Sequence, residues 1–331
     1  MHPQVAIIYN QPEASRYDNR GEGAAVYGVL DEVDAVKRAL SDIGFVPMLI
    51  PLSPPIKNAL QTIDNIDTSI VFNLFEGFEG DPLTEIIIAR ALTEKSVAYT
   101  GNLPEALHTC LDKSLAKRAL LDAGVPTPAY QVYSSKTSEP LTLNFPVIVK
   151  PAREDASHGI YAENVVYTTE TFWSILTRLF ENSSEPVLVE EFVNGREFNA
   201  TVLGKEVLPI SEIVYTLPDG FPPVLTFESK WDTESLYYKH TQVICPAKID
   251  RSTESRLKNL AIKACKACGC RGYTRVDMRA DEKGKLYVLE VNPNPDISPG
   301  AGCARQSAAA GLSYTEFIKV IVEQAIGENT L

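Results

Sequence analysis

The stretch Tyr273 to Pro299, YTRVDMRADEKGKLYVLEVNPNPDISP, decides how the rest of the chain is read. Apolar and polar residues alternate over Tyr273 to Ala280 and again over Lys285 to Asn292, the period of two that marks strands with one buried face. Between them, Asp281-Glu282-Lys283-Gly284 has the composition of a hairpin turn. With Lys283-Gly284 as a two-residue loop, Asp277 faces Glu290, Arg275 faces Asn292, and all four side chains share one face. Two carboxylates directly opposite each other cost roughly 0.2 to 1 kcal/mol relative to a neutral pair, so a cation between them is the natural resolution. Mg²⁺ suits such a set, since it takes carboxylates and accepts an Asn carbonyl as a further ligand. A bare Asp and Glu on a hairpin also describes a solvated face. Arg275, Asn292 and the rigid polar turn Asn292-Pro293-Asn294-Pro295-Asp296 favour a ligand-facing one.

A metal and phosphate site needs cations. Lys150 ends the apolar strand Phe145 to Val149 and precedes Pro151 to Gly159, a loop of small and polar residues able to turn backbone N–H groups and a lysine toward phosphate oxygens. No Walker-type glycine loop occurs, and Gly21-Glu22-Gly23 stands too far from its strand to be a dinucleotide fingerprint, so it reads as a helix entry. Further out, Val5 to Tyr9, the helical spacing from Val26 to Leu40 ending at Gly44, and Val46 to Ile50 form a βαβ unit. A strand at Ile70 to Leu74, a helix from Pro82 to about Lys95 and a strand near Ala98 to Thr100 continue the alternation, which predicts a parallel sheet covered by helices over residues 1–101. Asp112 is placed to cap a helix that stops at Gly124, and Thr168 or Thr169 opens another. From Val187 onward the pattern is strand-rich, with runs at Val187 to Phe192, Glu197 to Leu203, Val207 to Tyr215 and Val224 to Phe227, and Pro218 to Pro223 reads as an exposed loop. The expected lobes are 1–101, 102–186 and 187–331.

At roughly 150 residues per domain, 331 residues give two domains or three small lobes. Hydrophobic residues at 44% and charged residues at 22% exclude disorder and coiled coil. With 31 basic and 43 acidic residues the net charge is −12, which argues against general affinity for nucleic acid or an anionic membrane surface. An anionic small molecule remains open, because screening confines fields to roughly 8 to 10 Å and local lysines decide. No apolar run approaches the 18 or so residues of a membrane helix and no basic leader precedes Val5, so a cytoplasmic location is expected. The six cysteines, Cys110, Cys245, Cys265, Cys268, Cys270 and Cys303, read as reduced thiols. Cys265-x-x-Cys268-x-Cys270 has no second Cys/His pair near it in sequence, so zinc is not expected there.

The set Lys113 within Leu111-Asp112-Lys113, Lys150 within Val147-Ile148-Val149-Lys150-Pro151, Glu190-Glu191-Phe192-Val193 with Glu197, Lys230, and Arg275-Val276-Asp277 with Leu289-Glu290-Val291-Asn292 resembles the ATP-grasp superfamily, and within it the D-alanine–D-alanine ligases. The match runs from about Tyr99 to Ala325. The resemblance implies an N-terminal parallel-sheet α/β lobe followed by a two-lobed ATP-grasp fold. It implies that Lys113 and Lys150 hold ATP phosphates, Glu190 and the backbone around Phe192 and Val193 receive the adenine, and Glu197 takes the ribose hydroxyls. Lys230 would reach the γ-phosphate, Ser157 would sit in a loop over the phosphates, and Asp277, Glu290 and Asn292 would ligate two Mg²⁺, with Mn²⁺ as a substitute. Arg275 would stabilise charge on the reacting carboxylate. Such a set suits phosphoryl transfer, which is mostly positioning and charge neutralisation.

The implied reaction activates a carboxylate as an acyl phosphate and captures it with an amine, so water must be excluded; Ala152 to Gly159 and Pro218 to Lys230 are the expected lids. The substrate side departs from the family. Its histidine-bearing segment is replaced by Asn73-Leu74-Phe75-Glu76-Gly77-Phe78-Glu79-Gly80-Asp81, its serine pair by Ala156-Ser157, and its tyrosine after the γ-phosphate lysine by Trp231. A glycine offering an oxyanion-binding N–H aligns with Asp296, and a serine and leucine with Ala301 and Gly302. A site without its usual partners discriminates against the usual ligand, so the expected substrates are an amino acid or small metabolite other than those that give D-alanyl-D-alanine. Glu76, Glu79, Asp296 and Arg305 are the candidate substrate residues. A true D-alanine–D-alanine ligase is the alternative, and a non-catalytic ATP-binding protein the alternative of another class. Family habit adds a homodimer.

Overall fold

The computed structural model describes residues 3–12, 23–78, 81–136, 139–153, 160–183 and 185–328. Three sheets organise them. The first is parallel, in the order β2-β1-β3-β4, from β1 (Gln4–Asn10), β2 (Val46–Leu52), β3 (Ile70–Leu74) and β4 (Ala98–Tyr99). Alternation along β1 serves two cores, as a sheet covered on both faces requires. Val5, Ile7 and Tyr9 pack with Val29, Val33, Val36 and Leu40 of helix α1 (Gly23–Asp42), while Ala6 and Ile8 pack with Ala59 and Ile63 of α2 (Ile56–Asp64) and Ile88 and Leu92 of α3 (Leu83–Glu94). Helix α2 carries no cap signal strong enough to be read in advance: Pro55 precedes it without a side-chain hydrogen bond.

Helix α4 (Pro104–Leu111) leads into α5 (Lys113–Asp122), where Asp112 accepts from the backbone of Ser114 and Leu115 as its sequence position predicts. The second sheet, order β5-β8-β6-β7, is antiparallel and comprises β5 (Tyr130–Tyr133), β6 (Val147–Pro151), β7 (Val165–Val166) and β8 (Val187–Glu191). Helix α6 (Thr169–Asn182), capped by Thr168, covers it with Phe172 and Leu176.

The third sheet runs β12-β11-β9-β13-β14, with β10 (Glu206–Val207) beside β9. Its strands are β9 (Gly195–Leu203), β11 (Ser211–Tyr215), β12 (Thr241–Ile244), β13 (Tyr273–Asp281) and β14 (Leu286–Pro293). The expected strand at Val224 to Phe227 is absent. Val224 is buried against Ile148, Val165 and Tyr237, so the segment packs its side chains on the neighbouring sheet rather than pairing with a strand, and the chain enters the single turn α7 (Glu228–Trp231). Of the loop expected at Pro218 to Pro223, residues 218–221 are exposed and Pro222 is buried. After α8 (Leu236–Lys239), α9 (Arg251–Ala267) buries Leu257, Ala261 and Ala264 on the face of the third sheet that carries Phe198, Val276 and Met278. Helix α10 (Gly302–Ala309) follows β14. The last helix, α11 (Tyr314–Glu328), returns to the first sheet and packs Phe317, Ile318, Ile321 and Val322 against α1 and β3.

The six cysteines carry free thiols, and the fold brings Cys110 Sγ to 3.9 Å from Cys270 Sγ. Among the described residues no helix is long and apolar enough to cross a membrane.

Candidate active site

Strands β9, β13 and β14 form a ladder whose two faces differ in chemistry. One face is the α9 core. On the other, register aligns Thr201, Arg275 and Asn292 in one row, Asn199, Asp277 and Glu290 in the next, and Glu197 opposite Arg279 in a third. The expected opposition of Asp277 to Glu290 and Arg275 to Asn292 is therefore present, though the expected loop is not. Asp281 N donates to Lys285 O and Gly284 N to Asp281 O, so three residues, Glu282 to Gly284, make the turn, with Gly284 at φ 75°. The pairing passes from Met278 with Val288 to Asp277 with Glu290, leaving Leu289 unpaired in a β-bulge. The longer loop and the bulge each shift the register by one residue and cancel. The bulge also lets Leu289 and Glu290 both line the cavity while Val288 stays in the core.

The cavity has a volume of about 320 Å³ and lies between the second and third sheets. Lys113 from α5, Lys150 from β6, Glu190, Phe192 and Val193 from the end of β8, Glu197 and Asn199 from β9, Lys230 from α7, and Arg275, Asp277, Glu290 and Asn292 from the hairpin all line it. Asp277 accepts both arms of the Arg275 fork, at 2.8 and 2.9 Å, together with Asn199 Nδ2 at 2.6 Å and Asn292 Nδ2 at 3.0 Å. Glu290 lies 3.0 Å from Lys113 Nζ. Burial alone would raise the Glu290 carboxyl, but the charges of Lys113, Lys150 and Arg275 bring it down to about 2. Burial lowers the Lys230 ammonium to about 8, with the Arg275 charge adding to the effect against Asp277 and Glu290.

Two carboxylates and the Asn292 amide on one face form an all-oxygen donor set, which is the chemistry a magnesium ion takes, and they stand beside lysines suited to phosphate. These residues fit that ion.

Glu190 lines the cavity and carries partners of its own. It is buried and ion-paired to both Lys150 and Lys117, and the two ammonium charges overcome the burial that would otherwise raise its carboxyl. Lys117 was not singled out from sequence. Its signal was there, four residues after Lys113 on the same face of α5, and its Nζ also donates to Thr127 Oγ1 at 2.7 Å. Asn199 and Arg279 were likewise missed, although each sits two residues from a chosen strand position and so on the same face.

On the substrate side, Arg305 lines the cavity and donates to Gly300 O at 3.1 Å. Asp296 and Glu76 are exposed and outside the lining, and Asp296 accepts from Ser298 in its own turn. Both flank Glu32 of α1, a buried carboxyl held well above the usual range by burial and by these two neighbours, which accepts from Ile297 N at 2.9 Å. Glu79, Ser157 and most of the Ala152 to Gly159 loop lie outside the described residues. The turn after β14 is a tie rather than a ligand loop at Asn294, whose Oδ1 accepts from Asn102 N and whose Nδ2 donates to Glu85.

The family model described as D-ala D-ala ligase C-terminus matches residues 120–323, more than half of the chain. The chain belongs to the D-alanine–D-alanine ligase family. Among relatives of this ATP-grasp ligase, a D-alanine–D-alanine ligase of Alcanivorax borkumensis is 31% identical over 98% of this chain and 94% of its own. The uncharacterized protein y4sG of Sinorhizobium fredii is 32% identical over 88% and 86%. The D-alanine–D-alanine ligase of Bacillus anthracis complexed with ATP superposes with a TM-score of 0.76 at 20% identity, over 99% of each chain, which shows the shared fold. As a member of this family the chain is an ATP-dependent carboxylate–amine ligase that forms C–N bonds.

Proposed function

We propose that this ligase joins an amino acid or similar small carboxylate to an amine, through an acyl phosphate made at the cavity between the second and third sheets. The observation that carries the reading is the convergence of Lys113, Lys150, Lys230 and Arg275 around the opposed Asp277 and Glu290 in one cavity. In this reading the lysines neutralise the polyphosphate, Phe192 and Val193 flank the base, and Glu197, on the same cavity wall, meets the sugar. Arg275, whose Nε and Nη2 hold Asp277, would lend its charge to the oxygens of the reacting carboxylate, where charge grows in the transition state. Asp277, Glu290 and Asn292 would hold magnesium, which supplies Lewis-acid polarisation of the transferred phosphoryl group. Val224, Leu225 and Ser229 line the same cavity as Lys230, so the segment that presents this lysine also keeps water from the acyl phosphate. The expected lobes 1–101, 102–186 and 187–331 need two changes in this reading: β8 (Val187–Glu191) pairs with β5 and β6 and so belongs to the second sheet, and α11 packs on the first.

The losses on the substrate side support an acid other than D-alanine: without the family's histidine, serine pair and tyrosine, a first amino acid would need other partners. A second reading, that D-alanine is both substrates, draws on relatives over nearly the whole chain that bear that name. One experiment separates them. Phosphate release from ATP with magnesium is measured for paired carboxylates and amines, both enantiomers of every amino acid included. A pair other than D-alanine with itself should stimulate release, and Asp277→Asn should lower that release at least about 100-fold. Stimulation by D-alanine alone establishes the second reading, and no stimulation by any pair overturns both.

A further inference from the structure

Glu197 is held asymmetrically. Its Oε2 accepts from Tyr215 Oη at 2.8 Å and from both Nε, at 3.1 Å, and Nη2 of Arg279. Among the described residues Oε1 accepts no hydrogen bond, and Glu197 lines the cavity. The sheet register produces this arrangement. Arg279 on β13 stands directly opposite Glu197, and Tyr215 is two residues beyond Ile213, which pairs with Glu197 on the other side. All three side chains therefore share one face.

Arg279 does more than neutralise a buried acid. Nη1 donates to Val193 O at 2.9 Å, Nη2 also reaches Pro223 O, and the guanidinium carbon lies 4.8 Å from the Phe192 ring centroid. One rigid fork thus fastens the Glu197 carboxylate, the strap after β8 and the segment leading to Lys230. Such a fork is planar and always charged, and lysine cannot reproduce it.

Resting on the reading that Glu197 meets the nucleotide sugar, we infer that Arg279 and Tyr215 are positioning residues for sugar specificity: by saturating Oε2 they reserve Oε1 as an acceptor for a ribose hydroxyl, and Arg279 couples that acceptor to the strap that flanks the base. A deoxy sugar leaves the reserved oxygen unpaired in a buried site, and such a vacancy is what discriminates strongly against an analogue. Without the guanidinium, Glu197 loses the fork that pins its Oε2, the carboxylate is free to turn, and the distinction between sugars fades.

The test is calorimetric binding of ADP, 2′-deoxy-ADP and 3′-deoxy-ADP with magnesium to the full chain. Wild type should bind at least one deoxy form about tenfold more weakly than ADP. Arg279→Met should reduce that ratio below about twofold, Tyr215→Phe should lower it part of the way, and Arg279→Lys should restore it only in part. Inorganic tripolyphosphate, which has no sugar, should bind all variants equally, as a general structural defect would not allow. Should Arg279→Met fail to fold, Tyr215→Phe carries the same ratio with the charge intact. Variants that bind ADP with the wild-type ratio, or a wild type that binds ADP without distinguishing the sugars, overturn the inference and leave the function standing. A wild type that binds tripolyphosphate but no nucleotide overturns the sugar-site reading and the inference with it.

Discussion

Lys230 stands on a single helical turn, half-buried, with Arg275, Asp277, Glu290 and Glu197 as its charged neighbours. Burial lowers its ammonium to about 8, against an ordinary 10.5. The sign is direct: below pH 8 the free enzyme presents a cation to the polyphosphate, and above it a neutral amine. The kcat/KM for ATP should therefore fall as pH rises through about 8, since that parameter reports groups of the free enzyme. Lys230→Arg should abolish this alkaline limb, because arginine stays charged. A wild-type profile flat to pH 9.5 would show that the charge of Lys230 does not matter to ATP capture. At this scale the sequence was most legible where one hairpin carried the chemistry. Arg275, Asp277, Glu290 and Asn292 follow from alternation and pairing alone. Glu190 was chosen for its position and its neighbours were not foreseen, because Lys117 and Lys150 meet it only when α5 and β6 close around β8.

At the scale of elements, the hairpin is aimed by what anchors its far end. Asn294, at φ 49°, sits against Gly101, at φ 92°, and an added Cβ on Gly101 would lie 2.5 Å from Asn294 Oδ1. That oxygen accepts from Asn102 N at 2.8 Å, and the fully buried Asn102 in turn accepts from Arg271 N, so a polar network joins the end of β4 to both ends of the hairpin. Gly101→Ala should cost about 1 to 3 kcal/mol, read as a lower urea midpoint. Gly220→Ala is the matched control: its φ of 90° is as strained, but nothing lies within 4 Å of the new Cβ. Equal losses in the two variants would assign the whole effect to backbone strain and remove the network from the account. Caps at Asp112 and Thr168 were legible beforehand because a cap is a local hydrogen bond. The Leu289 bulge and the three-residue turn were not, since both are consistent with the same alternating pattern and only the partner strand fixes the count.

For the whole molecule, the decisive contact is between the two ends of the described chain. Phe317, Ile318, Ile321 and Val322 of α11 are each at most 2% exposed, and they pack on α1 and β3 of the first sheet. At about 1.5 to 3 kcal/mol for each large apolar side chain buried, their loss amounts to about 6 to 12 kcal/mol, the size of a domain's whole stability. A chain ending before Ser313 should lose its near-UV circular dichroism and its cooperative thermal transition; a sharp transition retained would show that the first sheet stands without α11. By itself the sequence determined the α/β alternation of the first third, the strand-rich remainder, the helix caps and the opposed acids of the hairpin. Each of these follows from neighbours along the chain or from one tight turn. Only the tertiary structure decided that the last helix closes the first sheet, that Lys117 and Lys150 share Glu190, and that Arg279 and Tyr215 leave one oxygen of Glu197 open. Those contacts join residues far apart in sequence, and periodicity states which face of an element is apolar or charged without stating which other face it will meet.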